Sequence, residues 1–170
     1  RCVMATNKIY MAPGTPITFT GSGGDAVITT NNLGFGVGRV SAQYDRGIGA
    51  KAKLHEIMAC IQWAATAVVG DAAEIYIFES DGTYLDGSVG TSDAALATDK
   101  RKNGMFVGAV ICDTTSGATN VIARFRDVPL TQRYFSVGIW NASATKNLQA
   151  TANASLVIVT PNPDDIQAAA

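Results

Sequence analysis

The sequence predicts an all-β protein: a single-domain antiparallel β-sandwich of jelly-roll type, preceded by an extended N-terminal arm. Three observations predict it. Clusters of β-branched and aromatic residues recur along the 170-residue chain, separated by Gly, Asp, Asn, Ser and Pro. Sustained helical periodicity is absent. The length suits one domain with a sizeable core, and no internal repeat or linker divides it.

Residues 1–16 read as the arm. Pro13 and Pro16 in "MAPGTP" block regular pairing and favour extended backbone. Ile9, Tyr10 and Met11 form an apolar patch within it. With Pro13 they are candidate partner contacts, unless the arm folds back on its own domain. The sandwich spans 17–160, with strands expected near 17–20, 26–30, 37–44, 53–63, 73–79, 105–112, 120–128, 134–141 and 155–160.

Alternation along the strands says which faces are buried. In 120–128, Val121, Ala123 and Phe125 share one face, and Ile122, Arg124 and Arg126 the other. In 134–141, Phe135, Val137 and Ile139 oppose Tyr134, Ser136, Gly138 and Trp140. By contrast, 105–112 and 156–159 are apolar on both faces. A sandwich alone buries one face of each sheet, so these strands require a second cover: a long loop or a neighbouring subunit. "SDAALATDKR" (92–101) predicts one short helical turn capped by Ser92 or Asp93. Residues 161–170, with two prolines, two acids and an alanine run, read as an exposed tail. An immunoglobulin-like sandwich is the alternative, but Trp63 follows Cys60 too closely for its Cys…Trp…Cys spacing.

Composition narrows the function classes. Apolar residues make up 47% and charged residues 16%, so the chain is too apolar for disorder and lightly charged for an isolated surface. A net charge of −1 gives no electrostatic basis for nucleic-acid binding. Lys100, Arg101 and Lys102, the one basic run, read as a solvated loop. No secretory h-region or bilayer-spanning apolar stretch is expected. Cys60 and Cys112 lie in apolar runs and read as buried thiols, and the three cysteines do not suggest a disulfide framework.

Motifs for chemistry are sparse. His55, the one histidine, has no HxxxH or CxxC partner pattern and reads as structural. "GFGVGRVS" has Gly34, Gly36 and Gly38 at every second residue. The dinucleotide fingerprint needs GxGxxG between strand and helix, so backbone packing is the better reason for these glycines. "FESDGTYLDGSVGT" (78–91) gathers Glu79, Asp81 and Asp86, but the calcium-loop spacing fails and no Glu closes it. Asp81-Gly82 and Asp86-Gly87 are turn dipeptides. Tyr84 and Leu85, apolar in a polar loop, are candidate contacts with a neighbour or with the domain's own sheet. No catalytic, metal or cofactor residue is assigned, and no enzyme is expected.

The blocks "SAQYDRGIGAK" (41–51), "ESDGTYLDGSVGTSDAAL" (79–96), "DKRKN" (99–103), "VGIWNAS" (137–143) and "TPNPDDIQ" (160–167) together resemble small virion structural proteins encoded among the head genes of tailed bacteriophages. The first forty residues carry no such match. The resemblance implies a capsid decoration, or cement, protein on the outer surface of the capsid. Its implied partners are the major capsid protein and further copies of itself as a trimer, with no direct nucleic-acid or membrane contact. The alternative is a carbohydrate-binding or host-adhesion module of the phage head or tail, in which Trp140, Tyr84 and Tyr44 would stack on sugar rings if exposed.

Overall fold

The computed structural model describes residues 14–48, 51–64, 68–83, 85–113 and 119–163. Ile9, Tyr10, Met11, Pro13 and Tyr84 lie outside them, as does most of the expected tail. The strands are β1 (Ile17–Thr20), β2 (Ala26–Val27), β3 (Val37–Val40), β4 (Tyr44–Asp45), β5 (Leu54–Ile61) and β6 (Ala72–Ser80). They continue with β7 (Ala94–Leu96), β8 (Met105–Ile111), β9 (Val121–Pro129), β10 (Tyr134–Asn141) and β11 (Leu156–Pro161). A 3₁₀ turn (Asp86–Ser88) and the one-turn helix α1 (Thr98–Arg101) complete the described elements.

Two sheets pack face to face. Sheet I runs β2-β1-β11-β5-β9 and sheet II runs β7-β3-β10-β6-β8, with β4 also pairing β10. The pairing is antiparallel except between β1 and β2, which run parallel. The alternation explains the core between the sheets. Ile57, Ala59 and Ile61 from β5 and Val157 and Val159 from β11 meet Phe135, Val137 and Ile139 from β10. Val121, Ala123 and Phe125 pack against this core, and Ile122, Arg124 and Arg126 point to solvent, as the pattern of β9 requires.

Three sequence expectations change. The expected strand 37–44 divides into β3 and β4. Ser41 causes the break: its Oγ accepts the Val137 N–H at 2.9 Å, and the register with β10 slips by one residue before Tyr44. The expected strand 26–30 shortens to β2. The expected helical turn over 92–101 resolves into β7, paired with β3, followed by α1. Neither Ser92 nor Asp93 caps that helix, because Ala97 occupies its N-cap without a side-chain bond. Asp93 is used elsewhere.

A second cover lies on sheet II, but over β3, β6 and β10 and not over the doubly apolar strands: no residue of 105–112 or 156–159 belongs to it, and Phe106 stays 56% exposed. The described residues of 81–104 fold back over the outer face of this sheet. Val89 and Leu96 pack there with Val40, Tyr76, Phe78 and Trp140 in a second buried cluster. The chain's close packing around Phe78 depends on glycine. A Cβ at Gly104, Gly138 or Gly87 would lie 2.5, 2.7 or 3.2 Å from the Phe78 ring.

Candidate functional site

Three places gather functional types of side chain. The first is the acidic loop after β6. Each of its carboxylates serves the backbone. Glu79 accepts the N–H groups of Thr131 and Gln132, at 2.5 and 2.8 Å. Asp81 accepts from Thr83 N at 2.7 Å, and Asp86 from Glu79 N at 3.0 Å. These are turn-forming bonds, and they hold the loop start against the β9–β10 connection. Among the described residues, no three His, Cys, Asp or Glu side chains gather as a metal centre requires. Leu85 bridges back to Ser80 and is half-buried.

A polar and cationic network fastens the rest of the covering segment. Arg101 donates to Glu74 at 2.8 Å and lies 4.2 Å over the Trp140 ring. Tyr76 donates to the same Glu74 carboxylate at 2.7 Å. Burial, then the Glu74 hydrogen bond and charge, push the Tyr76 hydroxyl up to about 12. The basic run is therefore not simply solvated: its central residue clamps α1 to sheet II. At the other end of the segment, Arg39 donates to Asp93 at 2.7 Å, and Thr29 Oγ1 donates at 2.5 Å. Burial pushes the Asp93 carboxyl up, but the bonds from Arg39 and Thr29 outweigh it and hold it below its ordinary value. These partners tie β3 to the chain just after β2, across the two sheets.

The second place is the outer face of sheet I. The register aligns Leu156, Cys60 and Ile122 in one row, and Ile158, Met58 and Arg124 in the next. No counterpart of the second cluster covers this face among the described residues. Met58, Leu156 and Ile158 are half-buried, and Ile122 is 56% exposed. Glu56 pairs with Arg124 at 2.5 Å and borders the apolar rows with charge.

The third place is a cavity of about 440 Å³ at one end of the sandwich, lined by Arg46, Lys51, Lys53, Leu130 and Arg133 among others. Arg46 donates to the carbonyls of Leu130 and Gln132, at 3.0 and 2.9 Å, and to that of Ala52. It thereby joins the β4–β5 connection to the β9–β10 connection. Arg133 pairs with Asp45 at 2.6 Å. That hydrogen bond leads in holding the Asp45 carboxyl at about 2. Sequence reading missed this cavity because its cations come from residues 46–53 and 133, which only the fold brings together.

The remaining candidates fall as follows. His55 is fully buried beside the Arg46 guanidinium, in keeping with its structural reading. Cys60 and Cys112 are buried free thiols, and burial raises the Cys60 pKa. Gly38 packs its backbone on Trp140, where a Cβ would sit 2.6 Å from the ring. Trp140 is buried under Arg101, and Tyr44 is half-buried against Phe19 and Phe135. No described helix is long and apolar enough to cross a membrane. A scan against protein-family models matches none to this chain, and a search of curated proteins finds no match.

Proposed function

We propose that this chain is a capsid decoration protein of a tailed bacteriophage, a jelly-roll sandwich that binds the major capsid protein on the outer surface of the shell as a homotrimer. The observation that carries the reading is the unequal cover of the two sheets. The chain's own segment covers sheet II around Tyr76, Phe78 and Trp140 and leaves Phe106 exposed at the β8 edge, whereas the outer face of sheet I leaves Leu156, Met58 and Ile158 half-buried and Ile122 exposed. A cement protein works by adhesion, and apolar area withdrawn from water contributes roughly 25 cal/mol per Å² before association costs. The strand order supports the jelly-roll reading. With β2, β4 and β7 set aside, β1-β11-β5-β9 faces β3-β10-β6-β8, and among these eight strands only β6 and β8 follow each other within one sheet. The sugar-binding alternative draws no support from Trp140 or Tyr44, whose rings are packed.

The test is reconstitution on capsids that lack the protein. The purified chain should sediment at three times its 17.7 kDa mass and bind expanded shells at a fixed copy number. Ile122→Asp leaves the fold intact and weakens binding at least about tenfold, the effect of losing one central apolar anchor. Removal of residues 1–13 also lowers occupancy. A monomer that fails to bind the shell would sink the reading.

A further inference from the structure

Strand β8 closes one side of sheet II, with no strand beyond it among the described residues. Its seven residues, Met105–Ile111, include no charge and no proline, the two features that commonly guard an exposed edge. The other sheet edges are guarded. β7 is three residues long, β2 is two, and β9 carries Arg124, Arg126 and Asp127. No residue of β8 belongs to the covered cluster on sheet II, and Phe106 and Ile111 are 56% and 59% exposed. A strand apolar on both faces requires a loop or a neighbouring subunit as its second cover, and the described loop does not supply it here.

The backbone of β8 is satisfied on one side. Ala72 O accepts Ala142 N at 2.9 Å on the β10 flank, whereas Asp71 O accepts Cys112 N at 2.8 Å on the β8 flank. Successive residues alternate, so Ala73 and Ile75 exchange hydrogen bonds with Val110 and Gly108. Ala109 and Ile111 therefore turn N–H and C=O away from β6, where no described strand receives them. The bulge at Val107 ends the regular edge toward Phe106, so Gly108–Ile111 is the stretch open to pairing.

We propose that a second copy of this chain docks on this edge, β8 against β8, antiparallel about a two-fold axis at Val110. Ala109 then pairs with Ile111 of the second copy, and Ile111 with its Ala109, so each edge satisfies the outward groups of the other. A second copy fits because an uncharged strand meets an uncharged strand and no charge is buried. The axis crosses the sheets, so both copies turn the outer face of sheet I the same way, as two copies lying on one surface must. Seven residues are fewer than the roughly 20–30 per side of a stable interface. The contact therefore forms where the chain is concentrated or its copies are held side by side.

Cysteine pairs test the register in the full chain, in a Cys2→Ser background with Cys60 and Cys112 buried. Across the axis, Ala109 and Ile111 form a hydrogen-bonded pair with Cα atoms about 5.5 Å apart, within disulfide reach. Two copies of Ala109, or of Ile111, lie on diagonals at about 7–8 Å. An equal mixture of Ala109→Cys and Ile111→Cys chains should oxidise to a linked pair at least tenfold faster than either variant alone. The product holds two chains whether the starting unit is a monomer or a trimer, so the result is separate from the trimer reading. Equal rates would overturn the proposal. Sedimentation tests the edge itself. The average mass of the unaltered chain should rise with concentration. Ala109→Pro removes an outward N–H without breaking a bond to β6, and Ile111→Lys sets a charge at the seam. Each should hold the mass constant. A constant mass for the unaltered chain, or a rise that survives in both variants, counts against pairing through β8.

Discussion

Phe78 and Asp93 show what single residues contribute. The Phe78 ring is closed in by backbone at three glycines, so both subtraction and addition are costly there. Phe78→Ala is expected to cost about 3–5 kcal/mol, and Gly138→Ala about 1–3 kcal/mol by overpacking. Denaturant melts of both variants check this. Asp93 is mostly shielded and holds charge-assisted bonds from Arg39 and Thr29. Its native pKa lies below the ordinary 3.8, so its contribution is complete above that value and is lost as pH falls through the lower native one. Asp93→Asn should therefore lower stability by about 2 kcal/mol at neutral pH, with the difference from the parent shrinking in strong acid. Melting curves from pH 7 to pH 2 measure it. A constant difference would assign the loss to packing instead. Neither residue's role was visible in the sequence: Asp93 looked like a helix cap, because its partners lie 54 and 64 residues away.

At the scale of elements, the sequence was informative where burial alternates. The expected span of β10 is the observed one, and β5, β6, β8, β9 and β11 begin and end within two residues of their expected limits. Strands fixed by contacts with distant residues were harder to read. β7 carries an alanine pair without strand character, and pairs because β3 offers it an edge. A bulge in β8 was equally hidden. Ile75 pairs with Gly108 and Tyr76 with Phe106, which leaves Val107 as the extra residue. Beside it, a Cβ on Gly108 would stand 2.3 Å from the Phe125 ring of β9, so the strand edges of the two sheets close on a glycine. The covering segment joins sheet II through β7 and is held over its face by the Arg101–Glu74 pair and the stack on Trp140. Arg101→Ala is expected to speed proteolytic cleavage within 81–104 several-fold and to cost about 1–2 kcal/mol globally. Limited proteolysis beside a thermal melt separates the two effects. The candidate sites were less legible than the strands. The outer rows of sheet I follow from alternation once the register is known, whereas the cationic cavity needs the tertiary fold.

For the molecule as a whole, the two sheets differ in what lies outside them, and the proposed adhesive role belongs to the barer one. The strand order has a further consequence, in the timing of synthesis. The central strand of sheet II is β10, and β11 lies between β1 and β5 in sheet I; they are the last two strands in the described chain. A chain emerging from the ribosome carries β1, β3, β5 and β6 before either central partner exists. Sheet II cannot be joined until residue 141 is free, nor sheet I until residue 161, and before β10 appears four strand edges stand unpaired. Folding must therefore wait for release of the C-terminal third. A chain cut before Leu156 should aggregate rather than fold, which sedimentation of the truncated product would show. In a cell making many copies at once, this interval between translation and closure is when the nascent protein most needs a chaperone.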